Sequence, residues 1–274
     1  MKFDMSEAWR DATAMIKGNR EVLTIIAGIF FFLPSVASGF AIPGMDEMLG
    51  DPQAMQAQVL EFYSNWGWAF VLVALVQTVG TLAMLTLLRD RSRPTVGQAI
   101  NSGLKGLLPA IGTSLLLVIG ITAVALIIGL VAASLGETAG AIVGSLLVLI
   151  LMVFFVYLMV KLSLWAPVIA VDKVRNPLHV LRRSWRLTKG NSLRLLVFYV
   201  LLGLVYIVVS IILGLLIGTL ALVLGESAGL ILSAIVTGLI GAVASVIYVA
   251  VVAAIHRQLS SPWAAAERVS DTAD

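Results

Sequence analysis

Six apolar runs divide this chain, and each is long enough to cross the roughly 30 Å hydrocarbon core of a bilayer as a helix. The runs lie at residues 22–42, 68–88, 107–135, 139–160, 195–224 and 228–255. Only 12% of the residues are charged, which leaves too few ionic groups to cover a water-facing surface. The sequence therefore predicts an all-α fold, a polytopic membrane bundle of six transmembrane helices in one domain, 1–274.

Lysines and arginines occur only in the two terminal segments and in every second predicted loop. All eighteen lie in segments 1–21, 89–106, 161–194 and 256–274, whereas the loops 43–67, 136–138 and 225–227 contain none. Because cytoplasmic loops are enriched in Lys and Arg, this pattern predicts that the N-terminus and the C-terminus are both cytoplasmic. The distribution of the charges is more informative here than the net charge of +3, and we expect no nucleic acid as a partner.

A six-residue motif recurs in two of the loops that lack basic residues. Residues 135–140 read LGETAG, and residues 224–229 read LGESAG, 89 positions later. A basic segment that begins with proline precedes each of these two hairpins, and Lys17-Gly18-Asn19 before the first run matches Lys189-Gly190-Asn191. The pattern predicts three parallel repeats, each an interfacial amphipathic helix plus a helical hairpin. The predicted units are 1–90, 91–160 and 161–257, and 258–274 is predicted to be a disordered cytoplasmic tail.

The segment 177–189 has the pattern of a helix that lies in the headgroup plane. Pro177 suits a first helical turn, and Asn176 can cap it. At helical spacing, an apolar sector contains Leu178, Leu181, Trp185 and Thr188, and a basic sector contains His179, Arg182, Arg183, Arg186 and Lys189. We expect Trp185 to anchor the helix at the interface, and we expect four cations to contact anionic lipid headgroups: Arg182, Arg183, Arg186 and Lys189. Two alternatives stay open, namely that these cations only set the topology or that they bind a protein partner.

Residues 95–106 show a weaker version of the same pattern. Thr95 and Gln98 have the spacing of a capping box, and an apolar stripe follows. The segment is therefore predicted to be a second interfacial helix before the third span.

Small residues recur every four positions on the last three spans, as at Gly225, Gly229 and Ser233. Such ladders let helix backbones approach closely. Packing within one chain is the favoured interpretation, and a homo-oligomer contact through these faces is the alternative. Pro34, inside the first span, is expected to kink it.

The predicted spans contain no Asp, Glu, Lys, Arg or His away from their ends, which disfavours coupled transport and proton relays. Gln77, Thr78 and Thr81 could line a polar site, although interhelical hydrogen bonding is the favoured interpretation. Glu137 and Glu226 occupy equivalent turns and could form a carboxylate pair, although hydrated turn residues are ordinary there.

Catalytic chemistry has little support in the sequence. His179 and Asp172 could form an acid–base pair, but their spacing matches no motif. Nucleotide, zinc and nucleophile signatures are absent from the sequence, and so are cysteines. We therefore expect no enzyme activity, no catalytic residue, no metal and no cofactor.

Residues 161–172, KLSLWAPVIAVD, and residues 181–191, LRRSWRLTKGN, resemble a known family. This is the membrane domain fused to some bacterial glycerophosphoryl diester phosphodiesterases and found alone in YciC-like bacterial inner-membrane proteins. The resemblance implies a multi-pass protein of the bacterial cytoplasmic (inner) membrane. It does not imply phosphodiesterase activity, because that activity belongs to a separate soluble barrel for which this chain has no room.

Taken together, the sequence favours a non-enzymatic membrane protein that organises or senses its lipid environment through basic amphipathic helices. Membrane lipids with anionic headgroups are the expected partners. A facilitator-type transporter of a small or lipid-like solute is the second hypothesis. A lipid-active membrane enzyme is the third.

Overall fold

The computed structural model describes residues 3–41, 55–89 and 94–271, and it describes side chains for 3–40, 59–89 and 94–260 except 137 and 226. Every element within these ranges is helical. They are α1 (Met5–Ala27), a π-helical turn (Gly28–Phe32), α2 (Leu33–Ala41), α3 (Met55–Arg89), α4 (Val96–Ser134), α5 (Glu137–Leu162), α6 (Trp165–Ala170), α7 (Pro177–Thr188), α8 (Ser192–Leu224) and α9 (Glu226–Asp271). Six long helical stretches are apolar enough to span a membrane, which confirms the predicted all-α, six-span class.

The first span contains a π-helical turn directly before Pro34. Proline has no backbone N–H and its ring clashes with the carbonyl four residues earlier, so a regular α-helix is disfavoured there. The backbone widens instead, and the Leu33 N–H donates to the Gly28 carbonyl. The turn presses Phe30 against α3, where a β-carbon added to Gly80 would lie 2.5 Å from the Phe30 Cβ.

Buried side chains concentrate at the end of the bundle that carries the lysines and arginines. We call this region the basic end and define it as residues 3–31, 79–89, 94–113, 160–198 and 249–259. The short helix α6 packs there against α3, α4 and α7. The largest fully buried side chains described are Leu23, Ile26, Leu82, Met84, Leu85, Leu164, Ile169, Val168, Val180, Leu195, Ile255 and His256.

The opposite parts of three helices are exposed. We call them the outer arms and define them as residues 114–134 of α4, 138–159 of α5 and 200–224 of α8. In the most apolar 18-residue stretches of α4 and α5, 0% of the residues are buried, and in that of α8 only 6% are buried. An apolar surface of this extent needs lipid around it.

The two outer turns that carry the repeated motif have similar local geometry. Gly136 and Gly225 have φ values of 78° and 83° with ψ values of 174° and 165°, a backbone conformation that is essentially restricted to glycine. At both turns the glycine four residues later packs closely on an alanine of the preceding helix. The larger organisation into three repeats stays a prediction.

The predicted interfacial helices differ from one another. Helix α7 is separate from the span that follows it. Residues 95–106, by contrast, lead without a break into the span of α4, although the predicted capping box of Thr95 and Gln98 is present. In α1, Asn19 departs from helical geometry, with φ of −131° and ψ of 19°, at the position that matches Asn191 in the sequence.

Helix α9 continues to Asp271, where the sequence predicts a disordered tail over 258–274. The alanines at 264–266 followed by Glu267 and Arg268 are strong helix formers, which explains the continuation. Residues 272–274 lie outside the described residues.

Candidate functional site

Helix α7 is fixed to the basic end by hydrogen bonds to the end of α5. The hydroxyl groups of Ser184 and Thr188 donate to the Lys161 carbonyl at 3.0 Å and 3.1 Å. The Ser184 hydroxyl also accepts from the Leu164 N–H at 3.2 Å. A helix leaves its last carbonyls without partners, so α7 satisfies the C-terminus of α5 and is held in one orientation by it.

The buried face of α7 is rotated from the predicted apolar sector. Val180, Ser184, Leu187 and Thr188 are buried, whereas Leu178 is exposed and Trp185 is 38% exposed. The prediction sorted residues by apolarity alone. It could not include the carbonyl acceptors of α5, which allow two hydroxyl groups to be buried without loss of hydrogen bonds.

Trp185 contributes to an aromatic site around a buried lysine. Lys161 is only 4% exposed, and its Nζ lies 5.2 Å from the ring centre of Trp185 and 5.5 Å from that of Tyr157. The two rings meet edge to face at 5.9 Å. Among the described carboxylates, none lies within ion-pair distance of Lys161, so the negative faces of the two rings stabilise this cation.

Three of the four predicted headgroup contacts share the outer face of α7. Arg182, Arg186 and Lys189 are exposed, and they form no ion pair with a described carboxylate. Arg183 lies on another face, where its Nε is 3.2 Å from Asp172 Oδ2. The exposed basic surface of α7 therefore consists of Arg182, Arg186 and Lys189, with Trp185 at its edge.

Asp172, in the loop after α6, lies between a buried histidine and Arg183. Its Oδ1 is 3.2 Å from His256 Nε2, although the ring N–H is not aligned for a hydrogen bond, and His256 is 1% exposed. Burial alone would raise the pKa of Asp172, but His256 and Arg183 together outweigh it and hold the pKa below its usual value. His179, the partner imagined from the sequence, is exposed, so Asp172 pairs with His256 and Arg183 instead.

The N-terminus is attached to this region by contacts that are distant in sequence. The Phe3 N–H donates to Asn191 Oδ1 at 2.8 Å, and the Asp4 N–H donates to Gln258 Oε1 at 3.2 Å. Arg257 also forms an ion pair with Asp11. These contacts join the N-terminal segment to the start of α8 and to α9 within the basic end.

The other sequence candidates do not form a described site. The hydroxyl groups of Thr78 and Thr81 donate to carbonyls one turn earlier in α3, at 2.7 Å and 2.9 Å, so their donor hydrogens are used within the helix. Glu137 and Glu226 begin α5 and α9, and their side chains lie outside the described residues.

A comparison with protein-family models matches residues 20–262 to a domain of unknown function, DUF7847. The chain belongs to the DUF7847 family. The match covers all six spans at least in part and includes the aromatic site, the exposed face of α7 and the Asp172 contacts. Curated proteins and solved structures give no match. For this DUF7847 protein, the resemblance to the phosphodiesterase membrane domain and to YciC-like proteins stays a prediction.

Proposed function

We propose that this DUF7847 protein is a non-enzymatic integral membrane protein that organises or senses its lipid environment by binding anionic headgroups on α7. The basic end and both termini then face the cytoplasm, as the Lys and Arg distribution favours. The proposed membrane is the bacterial cytoplasmic membrane, which the sequence resemblance favours. The observation that carries the proposal is the exposed face of α7, where Arg182, Arg186 and Lys189 lie beside Trp185 and have no described acidic partner.

The attachment of α7 to the end of α5 supports headgroup binding. An isolated helix of 12 residues is marginal in water, but here Ser184 and Thr188 bind the end of α5. The three cations are therefore displayed on a fixed support. Each cation near an anionic membrane surface contributes roughly 1 kcal/mol of attraction, and an indole ring prefers the interface between water and hydrocarbon. This geometry suits a headgroup layer better than bulk water.

Among the described residues, we find no observation that favours a facilitator-type transporter or a lipid-active enzyme. The hydroxyl groups of Thr78 and Thr81 on α3 are bonded within their own helix. The described partners of Asp172 are a buried histidine and an arginine. We therefore propose lipid binding and no second function.

The test is a lipid-preference measurement on the full chain in nanodiscs that contain spin-labelled phosphatidylglycerol or phosphatidylcholine. We expect the wild type to prefer phosphatidylglycerol and added salt to weaken the preference. In the triple variant R182Q/R186Q/K189Q, the preference should fall by roughly fivefold for each charge removed.

The matched control is the triple variant R10Q/K17Q/R20Q, which removes the same charge from exposed positions of α1. It should keep most of the preference. Equal loss in both variants would show a general charge effect and would reject α7 as the binding surface. An unchanged preference in the α7 variant would reject the proposal outright.

A further inference from the structure

A crevice of about 660 Å³ opens between α4 and the segment that leads into α7. Its volume lies within the range of small-molecule sites, roughly 300–1,000 Å³. Two cations and a row of apolar residues line it: Lys105, Leu108, Pro109, Ile111, Gly112, Leu115, Arg175 and Pro177. It uses none of the residues of the exposed α7 surface.

A proline inside α4 positions one of these cations. Pro109 has no N–H, so it cannot donate to the carbonyl of Lys105 one turn earlier. The Arg175 guanidinium donates to that carbonyl instead. One of the five guanidinium N–H groups is used in this way, so Arg175 is held against the backbone of Lys105, and both residues line the crevice.

The mouth of the crevice is electropositive. Lys105 and Arg175 are both exposed, and no described carboxylate lies within ion-pair distance of either. The nearby acidic residue Asp172 is occupied by Arg183 and His256. Two adjacent cations repel each other, so an anion between them would be stabilised by both, and an oxyanion suits the guanidinium fork in particular.

The apolar wall of the crevice has the length of one leaflet. Ten residues separate Lys105 from Leu115, which corresponds to about 15 Å along a helix and to half of a hydrocarbon core of roughly 30 Å. Leu108 and Leu115 are exposed along this wall. At Gly112, a β-carbon would lie 2.8 Å from the Pro177 Cγ, so the glycine allows α4 and α7 to meet at the side of the crevice.

We propose that the crevice binds one anionic phospholipid from the leaflet at the basic end. The phosphate lies between Lys105 and Arg175, and one acyl chain follows Leu108, Ile111 and Leu115. A soluble phosphate would satisfy the two cations, but it would leave the apolar wall unused. The site is independent of the α7 surface and gives the protein a single bound lipid of defined position.

The experiment is native mass spectrometry of the full chain in detergent, titrated with dioleoyl phosphatidylglycerol. We expect the wild type to retain one lipid more tightly than any further ones. The K105Q variant should weaken this first binding step by roughly fivefold, and L115W should remove most of it by filling the apolar end. The matched controls are K17Q and L222W, which make the same changes at exposed positions elsewhere and should bind as the wild type does.

Two further measurements separate the possible reasons for retention of a lipid. Excess inorganic phosphate should leave the bound lipid in place, and displacement by phosphate would overturn the assignment to a lipid. The α7 variant R182Q/R186Q/K189Q should keep the first lipid, so that the crevice and the α7 surface can fail separately. If K105Q and L115W bind like their controls, the crevice proposal is wrong whatever the α7 variant shows.

Discussion

The basic end and the outer arms share the long helices α4, α5 and α8, but the two regions are held together differently. Leu85 at the basic end is fully buried, whereas Leu222 in an outer arm is 87% exposed. Within a bilayer, transfer of a leucine from lipid to protein gains little by itself, because lipid tails are equally apolar, so close packing and polar contacts decide the stability. At the basic end, burial is combined with hydrogen bonds from Ser184 and Thr188 and with the ion pair between Asp172 and Arg183. Contacts within the protein therefore stabilise the fold mainly at the basic end, and the exposed surface of the outer arms contacts lipid.

The largest effect that tests this comparison is expected from matched leucine truncations. Leu85→Ala should destabilise the protein by about 2–5 kcal/mol, because it opens a cavity in a packed core. Leu222→Ala should change the stability by less than about 0.5 kcal/mol, as is usual for exposed positions. Thermal unfolding of both variants in the same detergent measures the difference. Equal destabilisation would show that the outer arms are packed as tightly as the basic end.

The second prediction concerns one of the two outer turns, where the backbone conformation is restricted to glycine. Gly225 has a φ of 83°, so Gly225→Ala should cost about 1–3 kcal/mol of backbone strain. Gly218→Ala, on the same helix with open space around the added methyl group, should be neutral or slightly stabilising because alanine favours helices. Comparison of the thermal unfolding midpoints of the two variants with that of the wild type tests both expectations. If Gly225→Ala is harmless, the turn adapts freely and the arm has no fixed geometry.

The smallest expected effect is the pH dependence that Asp172 contributes. Its pKa is lower in the folded protein, so its stabilisation is fully present above the unfolded value of about 3.9 and is lost as the pH falls through the folded pKa. The contribution should be on the order of 1 kcal/mol, because the pair is partly exposed. The wild type should lose more stability than Asp172→Asn between pH 6 and pH 3. Parallel losses in both proteins would contradict this role.

Features encoded within a few neighbouring residues could be predicted from the sequence. The six spans follow from the length and spacing of the apolar runs. Helix α7 begins at Pro177, and the Asn176 side chain accepts from the N–H groups of Leu178 and His179, as the cap and proline signals predict. The capping box of α4 is confirmed in the same way.

The contacts that arrange the candidate site could not be predicted, because their partners are far apart in the sequence. Asp172 meets His256, 84 positions later, and neither residue belongs to a spacing motif. Lys161 and Tyr157 are one helical turn apart, which hints at a contact, but Trp185 approaches them only when α7 folds back on α5. In the sequence, Arg183 is equivalent to its basic neighbours, because its ion pair with Asp172 forms only in the folded protein.

The attachment of the N-terminal helix to the last one has a consequence for biosynthesis. Helix α1 is synthesised long before α9, yet the Asp4 N–H donates to Gln258, 254 residues later, and Asp11 pairs with Arg257. Translation at about 5–20 residues per second therefore leaves the inner face of α1 without its final partner until α9 has been made. The basic end can therefore close only after α9 has been made, and a chain truncated before α9 would expose the face of α1 that packs on α9.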